Sequence, residues 1–178
     1  MKPIGPLMHE HRLIERMIVL IEQEVNRIKR NAQADIVFIN NAIDFIQVYA
    51  DRTHHGKEED ILFKSLGKKN ISGDHLRIMK ELVGEHMFGR VTVGELIAAK
   101  EGFIAGDQKA LDVIVDRLTT LAHFYPEHIR KEDKDFFFPV MGYFTREEQD
   151  QMLTQFWEFD RKMIHEKYQK IVMNFEKQ

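Results

Sequence analysis

Two copies of one pattern carry most of the chemistry in this chain: a lone histidine, then about forty residues later His-x-x-x-Glu. His11 is followed by His54 and Glu58, and His86 by His128 and Glu132. The copies are offset by 74 to 75 residues, and each lone histidine follows a glutamate, in Glu10-His11 and Glu85-His86. On a helix, positions i and i+4 share a face, so each pair aims an imidazole and a carboxylate at one point. Four imidazoles and two carboxylates meeting in this way describe a metal site. The chain has no cysteine, which excludes thiolate zinc sites, thiolate-held iron–sulfur clusters, disulfides and cysteine nucleophiles. A metal must then be held by nitrogen and oxygen donors, a set that suits iron and also manganese or zinc.

The elements that position these residues read as helices. Proline is confined to residues 3, 6, 126 and 139, and apolar residues recur at spacings of three and four. Leu7, Ile14, Ile18, Ile21, Val25 and Ile28 form the seam of a first helix over about 7–31. A second helix, capped by Asp35, runs to about Leu66. After a loop at Gly67–Gly73, Asp74 caps a third helix that ends near Gly102. Asp107 opens a fourth, in which Pro126 predicts a kink or a fresh start. Thr145-Arg-Glu-Glu148 is a capping box for a fifth helix to about Phe175. The expectation is an all-α fold: one domain over 1–178, an antiparallel four-helix bundle over about 5–141, and an additional C-terminal helix over about 145–177.

Helix phase sorts the nine histidines. His11 lies on the first apolar seam, while His9 is rotated well away from it and reads as solvated. Glu15 shares the side of His11 but has no counterpart after His86, where position 90 is arginine, so it reads as a carboxylate at the rim. His54 has Ala50, Ile43 and Ile61 on its side; His55 has Asp51, Arg52 and Glu59, a water-facing neighbourhood. The register of HHGKEEDILF against HIRKEDKDFFFP matches His54 to His128 and Glu58 to Glu132. His54 and Glu58 are therefore the expected donors, with His55 and Glu59 as the alternative. His123 is the best spare ligand if Pro126 rotates it inward, His75 reads as exposed, and His165 lies outside the site. Tyr49, Tyr125, Tyr143 and Tyr168 read as packing residues, and Phe136–Phe138 with Phe156, Trp157 and Phe159 read as the glue for the last helix.

With these strings in place (EH at 10–11, HHGKEEDILF at 54–63, GEH at 84–86 and HIRKEDKDFFFP at 128–139), the chain resembles the hemerythrin-like, or HHE cation-binding, family over roughly residues 5 to 141. The resemblance implies a non-haem di-iron centre inside a four-helix bundle, with two iron ions joined by an oxo or hydroxo bridge. His11, His54, His86 and His128 would be the terminal ligands, and Glu58 and Glu132 would bridge. Oxygen-carrying hemerythrins use a fifth histidine in a His-x-x-x-His pair on the third helix, where this chain has Leu82 and Arg90 around His86. They also end in His-x-x-x-x-Asp, a spacing that Asp133 would satisfy beside Glu132. Four histidines and two glutamates resemble the members linked to nitric oxide, peroxide and iron chemistry.

The expected function is binding or reduction of a small oxidant, O₂, peroxide or NO. A non-enzymatic iron or oxygen sensor or store is the alternative, and a metal-free structural domain a third reading. A ferritin-like bundle is disfavoured, because Glu-x-x-His occurs on none of the ligand helices. The formal charge of −3 gives no case for a nucleic-acid partner or an anionic membrane surface. With no secretory h-region and no apolar run long enough to span a bilayer, a cytoplasmic location is expected.

Overall fold

The computed structural model describes residues 2–175. Helix α1 (Ile4–Asn31) buries the expected seam, Leu7 through Ile28. The second rod begins with α2 (Ile36–Asp44), where the Asp35 side chain accepts from Phe38 N–H at 3.0 Å. It continues as two π-helical stretches, π1 (Phe45–His55) and π2 (Glu58–Phe63), and ends in a short α3 (Lys64–Leu66). Helix α4 (Gly73–Ile104) is capped by Ser72, whose hydroxyl accepts from His75 N–H at 3.2 Å. The expected cap, Asp74, instead lies in the first turn, where its charge suits the helix dipole.

A turn through Gly106, at φ +102°, leads into α5 (Ala110–Arg130). Only glycine adopts that φ without strain. Helix α5 runs straight through Pro126, and the change of winding comes later, in π3 (Lys131–Phe136), followed by α6 (Phe137–Val140). The capping box is present as read: Thr145 N–H donates to Glu148 at 2.9 Å and Glu148 N–H to Thr145 at 3.2 Å. It starts α7 (Arg146–Phe175), the additional C-terminal helix. The end expected near residue 177 and the side chain of Tyr168 lie outside the described residues.

Helix α5 packs on α1 and α4, and π1 packs on α1, α4 and α7. The result is a helical bundle with an extra helix, and no strand among the described residues. Two apolar clusters fill it, one built on Ile14–Ile28, Ile39–Ala50, Val93–Ala99 and Ile114–Ile129, the other on Leu7, Leu62, Phe136, Phe137 and Phe156. His11, His54, His55, His86 and His128 lie buried in the polar layer between them. Within the aromatic runs the glue is selective: Phe136, Phe137 and Phe156 are buried, whereas Phe138 and Trp157 face solvent.

Candidate metal centre

The six predicted donors converge. His11, His54, Glu58, His86, His128 and Glu132 are all buried. Glu132 reaches His11 Nε2 at 3.1 Å through Oε2, and His128 and His86 Nε2 at 3.3 and 3.7 Å through Oε1. Glu58 faces His54 Nε2 at 3.5 Å through Oε1 and His86 Nε2 at 3.4 Å through Oε2. Each carboxylate therefore has one oxygen on either side of the site, which is the disposition of a bridging ligand. Asp133, the alternative to Glu132, takes no such place.

His55 corrects the sequence reading. Expected near water, it is only 2 % exposed, and it stacks on His86 with centroids 3.8 Å apart. Its ring nitrogen groups with those of His86 and His128, while His11, His54, Glu58 and Glu132 form a second group. The reason is the winding of π1. On an α-helix, adjacent residues are about 100° apart, so His54 and His55 could not both face inward. The i→i+5 closure of a π-helix widens the turn and reduces that angle; Thr53 Oγ1 marks the register by donating to Val48 O at 2.7 Å. The site thus gathers five imidazoles, and the fifth nitrogen that seemed to be missing comes from the second rod. His123, the expected spare, is exposed, as are His9 and His165. His75 is half-buried against Tyr143, whose hydroxyl lies 2.8 Å from Nδ1.

What surrounds the donors explains their orientation. His11 Nδ1 meets Asp133 at 2.8 Å, His54 Nδ1 meets Glu10 at 2.8 Å, His86 Nδ1 meets Glu59 at 2.7 Å and His128 Nδ1 meets Glu85 at 2.8 Å. A carboxylate only accepts, so each Nδ1 carries a proton, and each ring turns its Nε2 inward. This is how histidine ligands are aimed and made more basic in metalloproteins. The outer carboxylates are themselves paired with cations: Asp133 with Arg12, Glu10 with Lys57, Glu59 with Arg90 and Glu85 with Lys131. Glu59 thus belongs to the site, although its sequence neighbourhood reads as surface. Glu15 stays at the rim, 2.9 Å from Arg12.

The signal for these partners was present in the sequence. The lone Glu-His dipeptides recur because each glutamate holds the His-x-x-x-Glu histidine of its own copy. Likewise Lys57-Glu58-Glu59 and Lys131-Glu132-Asp133 repeat a bridging carboxylate followed by an outer one. His55, whose counterpart is the buried Ile129, breaks the symmetry.

The inward atoms lack partners. Nε2 of His11, His54, His86 and His128, and all four oxygens of Glu58 and Glu132, are buried without a hydrogen bond. Buried polar atoms are almost always paired, and eight orphans facing one another are partners that a bound cation would satisfy. The donor set fits two metals. One side offers His55, His86, His128 and an oxygen from each glutamate. The other offers His11, His54 and the remaining two oxygens.

Without metal the charges compete. Burial opposes ionisation of both glutamates, but His128, His11 and His86 hold Glu132 well below the usual carboxylate range. Burial and its neighbour Glu132 push Glu58 well above that range. Burial works against the cation at His11, yet Asp133 and Glu132 outweigh it and raise its pKa to about 9. Burial prevails at His54, lowered to about 4 despite Glu10. At neutral pH, metal binding must therefore displace protons from His11 and Glu58, and His86, where burial opposes the cation but Glu132 and Glu59 raise the pKa, adds to the release. Loading at pH 7 should release about two to three protons per chain, and apparent affinity should climb as pH rises towards 9. Calorimetric titration in buffers of different ionisation enthalpy measures this; an enthalpy independent of the buffer contradicts it.

Comparison with family models gives a match to the Hemerythrin HHE cation binding domain over residues 2–139. Searches of curated proteins and of solved structures gave no match. No described helix is long and apolar enough to cross a membrane. The match covers more than half the chain and contains all four histidine–carboxylate pairs described above, so the chain belongs to the hemerythrin HHE cation-binding family.

Proposed function

We propose that the chain is a non-haem di-iron protein that binds or reduces a small oxidant: O₂, peroxide or NO. The observation that carries this reading is the unequal division of donors around two bridging carboxylates. Five donor atoms face the three-histidine side and four the two-histidine side. For metals that accept six ligands, the second side keeps more room for an exogenous molecule. When bound, a pair of irons would supply Lewis acidity and electrons to that molecule. The chain itself supplies aim and exclusion. Glu10 and Asp133 fix the rings of His54 and His11, and Phe137 stacks on His11 at 5.6 Å, keeping water from that face.

A cavity of about 70 Å³ adjoins the three-histidine side of the centre, lined by Ile46, Asp51, His55, His86, Gly89 and Tyr125 among others. Burial of Tyr125 pushes its phenol well above its usual pKa, which keeps it a neutral hydroxyl at the cavity wall.

The test is to load the protein with ferrous iron without oxygen and then add O₂, H₂O₂ or NO separately. Charge-transfer or nitrosyl bands that appear with at least one of them, saturating per iron pair, are the expected result. Sustained consumption of the oxidant with a reductant present marks an enzyme, and a single stoichiometric change marks a binder or sensor. An iron-loaded protein that is spectroscopically inert to all three contradicts the proposal.

A further inference from the structure

The pseudo-two-fold arrangement of the centre fails at one further place, and the failure leads out to α7. On one half Lys131 is 25 % exposed and pairs with Glu85 and Glu81, both on α4. On the other half the matching Lys57 is 0 % exposed. Its ammonium is held between Glu10 and, at 2.6 Å, Asp160 of α7. An unbroken chain of contacts thus runs from a metal-facing imidazole to the last helix: His54 Nδ1 to Glu10, Glu10 to Lys57, Lys57 to Asp160. Glycine at position 56 lets α7 approach this closely, because a Cβ there would lie 2.7 Å from Phe159 Cζ. Helix α7 lies beyond residues 2–139, the part of the chain that matches the family. Asp160 therefore lies outside the matched core.

We propose that Asp160 is a positioning residue for the metal site of His11 and His54, acting through Lys57 and Glu10; this rests on the two-metal reading above. Lys57 is a single buried cation shared by two carboxylates. With Asp160 in place, only part of the Lys57 charge falls on Glu10, which keeps its negative charge for the Nδ1–H of His54. With Asp160 neutralised, Lys57 draws Glu10 to itself, and His54 becomes a weaker and less well-aimed donor. Outer partners of histidine ligands typically change metal affinity by about 10–100-fold. Asp160 acts two contacts further out, so an effect at the lower end, roughly tenfold, is expected. It should fall on one of the two metals only.

Cobalt(II) titration of the full chain, followed by the visible bands of the bound ion and by chelator competition, reads this directly. The wild type should take up two ions. In D160N one of the two affinities should fall roughly tenfold with the other unchanged, and D160E, which keeps the charge, should recover most of the loss. Two unaltered affinities in D160N overturn the proposal. So does equal weakening of both sites, or no recovery in D160E, since either means a general loss of packing. Uptake of fewer than two ions by the wild type would instead sink the two-metal reading itself, and this proposal with it. If D160N loses its helical circular dichroism, hydrogen exchange of the wild type decides: coupling is reciprocal, so metal must slow exchange in α7 around residues 156–164. Unchanged exchange there overturns the proposal.

Discussion

Stripping metal from the folded protein with a chelator is expected to lower its melting temperature by roughly 15–30 °C. The estimate starts from the eight buried donor atoms that have no hydrogen-bond partner. A ligand present at a thousandfold its Kd stabilises the fold by about 4 kcal/mol per site, and two sites give about 8 kcal/mol. In a chain of this size, each kcal/mol moves the midpoint by about 2–4 °C. The metal-free chain should still fold, because apolar clusters close the bundle on both sides of the polar layer without help from the centre. It should do so with unpaired polar atoms in its middle. Thermal melts followed by circular dichroism, with and without chelator and after metal is restored, measure the difference. Identical melts before and after verified metal removal contradict the account.

Replacing Glu132 with alanine should abolish stoichiometric metal binding, with affinity falling more than the roughly 100-fold at the top of the range for an outer partner. Its two oxygens face both metal positions, touching His11 on one side and His86 and His128 on the other. No neighbouring carboxylate can take over, since Asp133 is committed to His11 Nδ1 and Arg12. Glu59→Ala is the informative contrast. It removes the partner of His86 Nδ1 and leaves every inward donor in place, so a loss of about 10–100-fold is expected. Equilibrium dialysis against iron or cobalt ranks the two. Full metal content in Glu132→Ala would remove the bridging role assigned here, and a complete loss in Glu59→Ala alone would reverse the assignment.

Much of this site could be read before the fold was known, because its donors obey helical arithmetic. His11 is separated from His9 by its place on an apolar seam. The i,i+4 pairs His54/Glu58 and His128/Glu132 need only one helical turn each. The caps at Asp35 and Thr145 follow from side-chain chemistry local to a few residues. His55 could not be found this way, since a 3.6-residue period places it on the wrong face, and the π-helical winding that turns it inward has no period the sequence displays. The charged neighbours made matters worse: Asp51 and Glu59 look like water-facing residues, yet they lie against the outer nitrogens of His55 and His86. Pro126 misled for a related reason, because its missing N–H is tolerated and the change of winding comes five residues later. The burial of Lys57 was hidden as well; it depends on α7, whose docking partner only the fold reveals.

The fifth imidazole also shifts the chemistry. Without a His-x-x-x-His pair on α4, helical spacing alone predicts a centre with four imidazoles. With His55 supplied by the second rod, the centre has five imidazoles and two carboxylates, so ligand number no longer argues against reversible binding of O₂. The distinction between carrier, sensor and reductase then rests on what the protein does after the small molecule binds.

In the proposed centre one buried site holds two metals, divided between a three-histidine and a two-histidine side. Diffraction from iron-loaded crystals at the iron absorption edge tests this arrangement most directly. Two anomalous peaks inside the bundle are predicted, one beside His55, His86 and His128 and the other beside His11 and His54, with Glu58 and Glu132 between them. A single peak, or iron found only on the surface, would contradict the account.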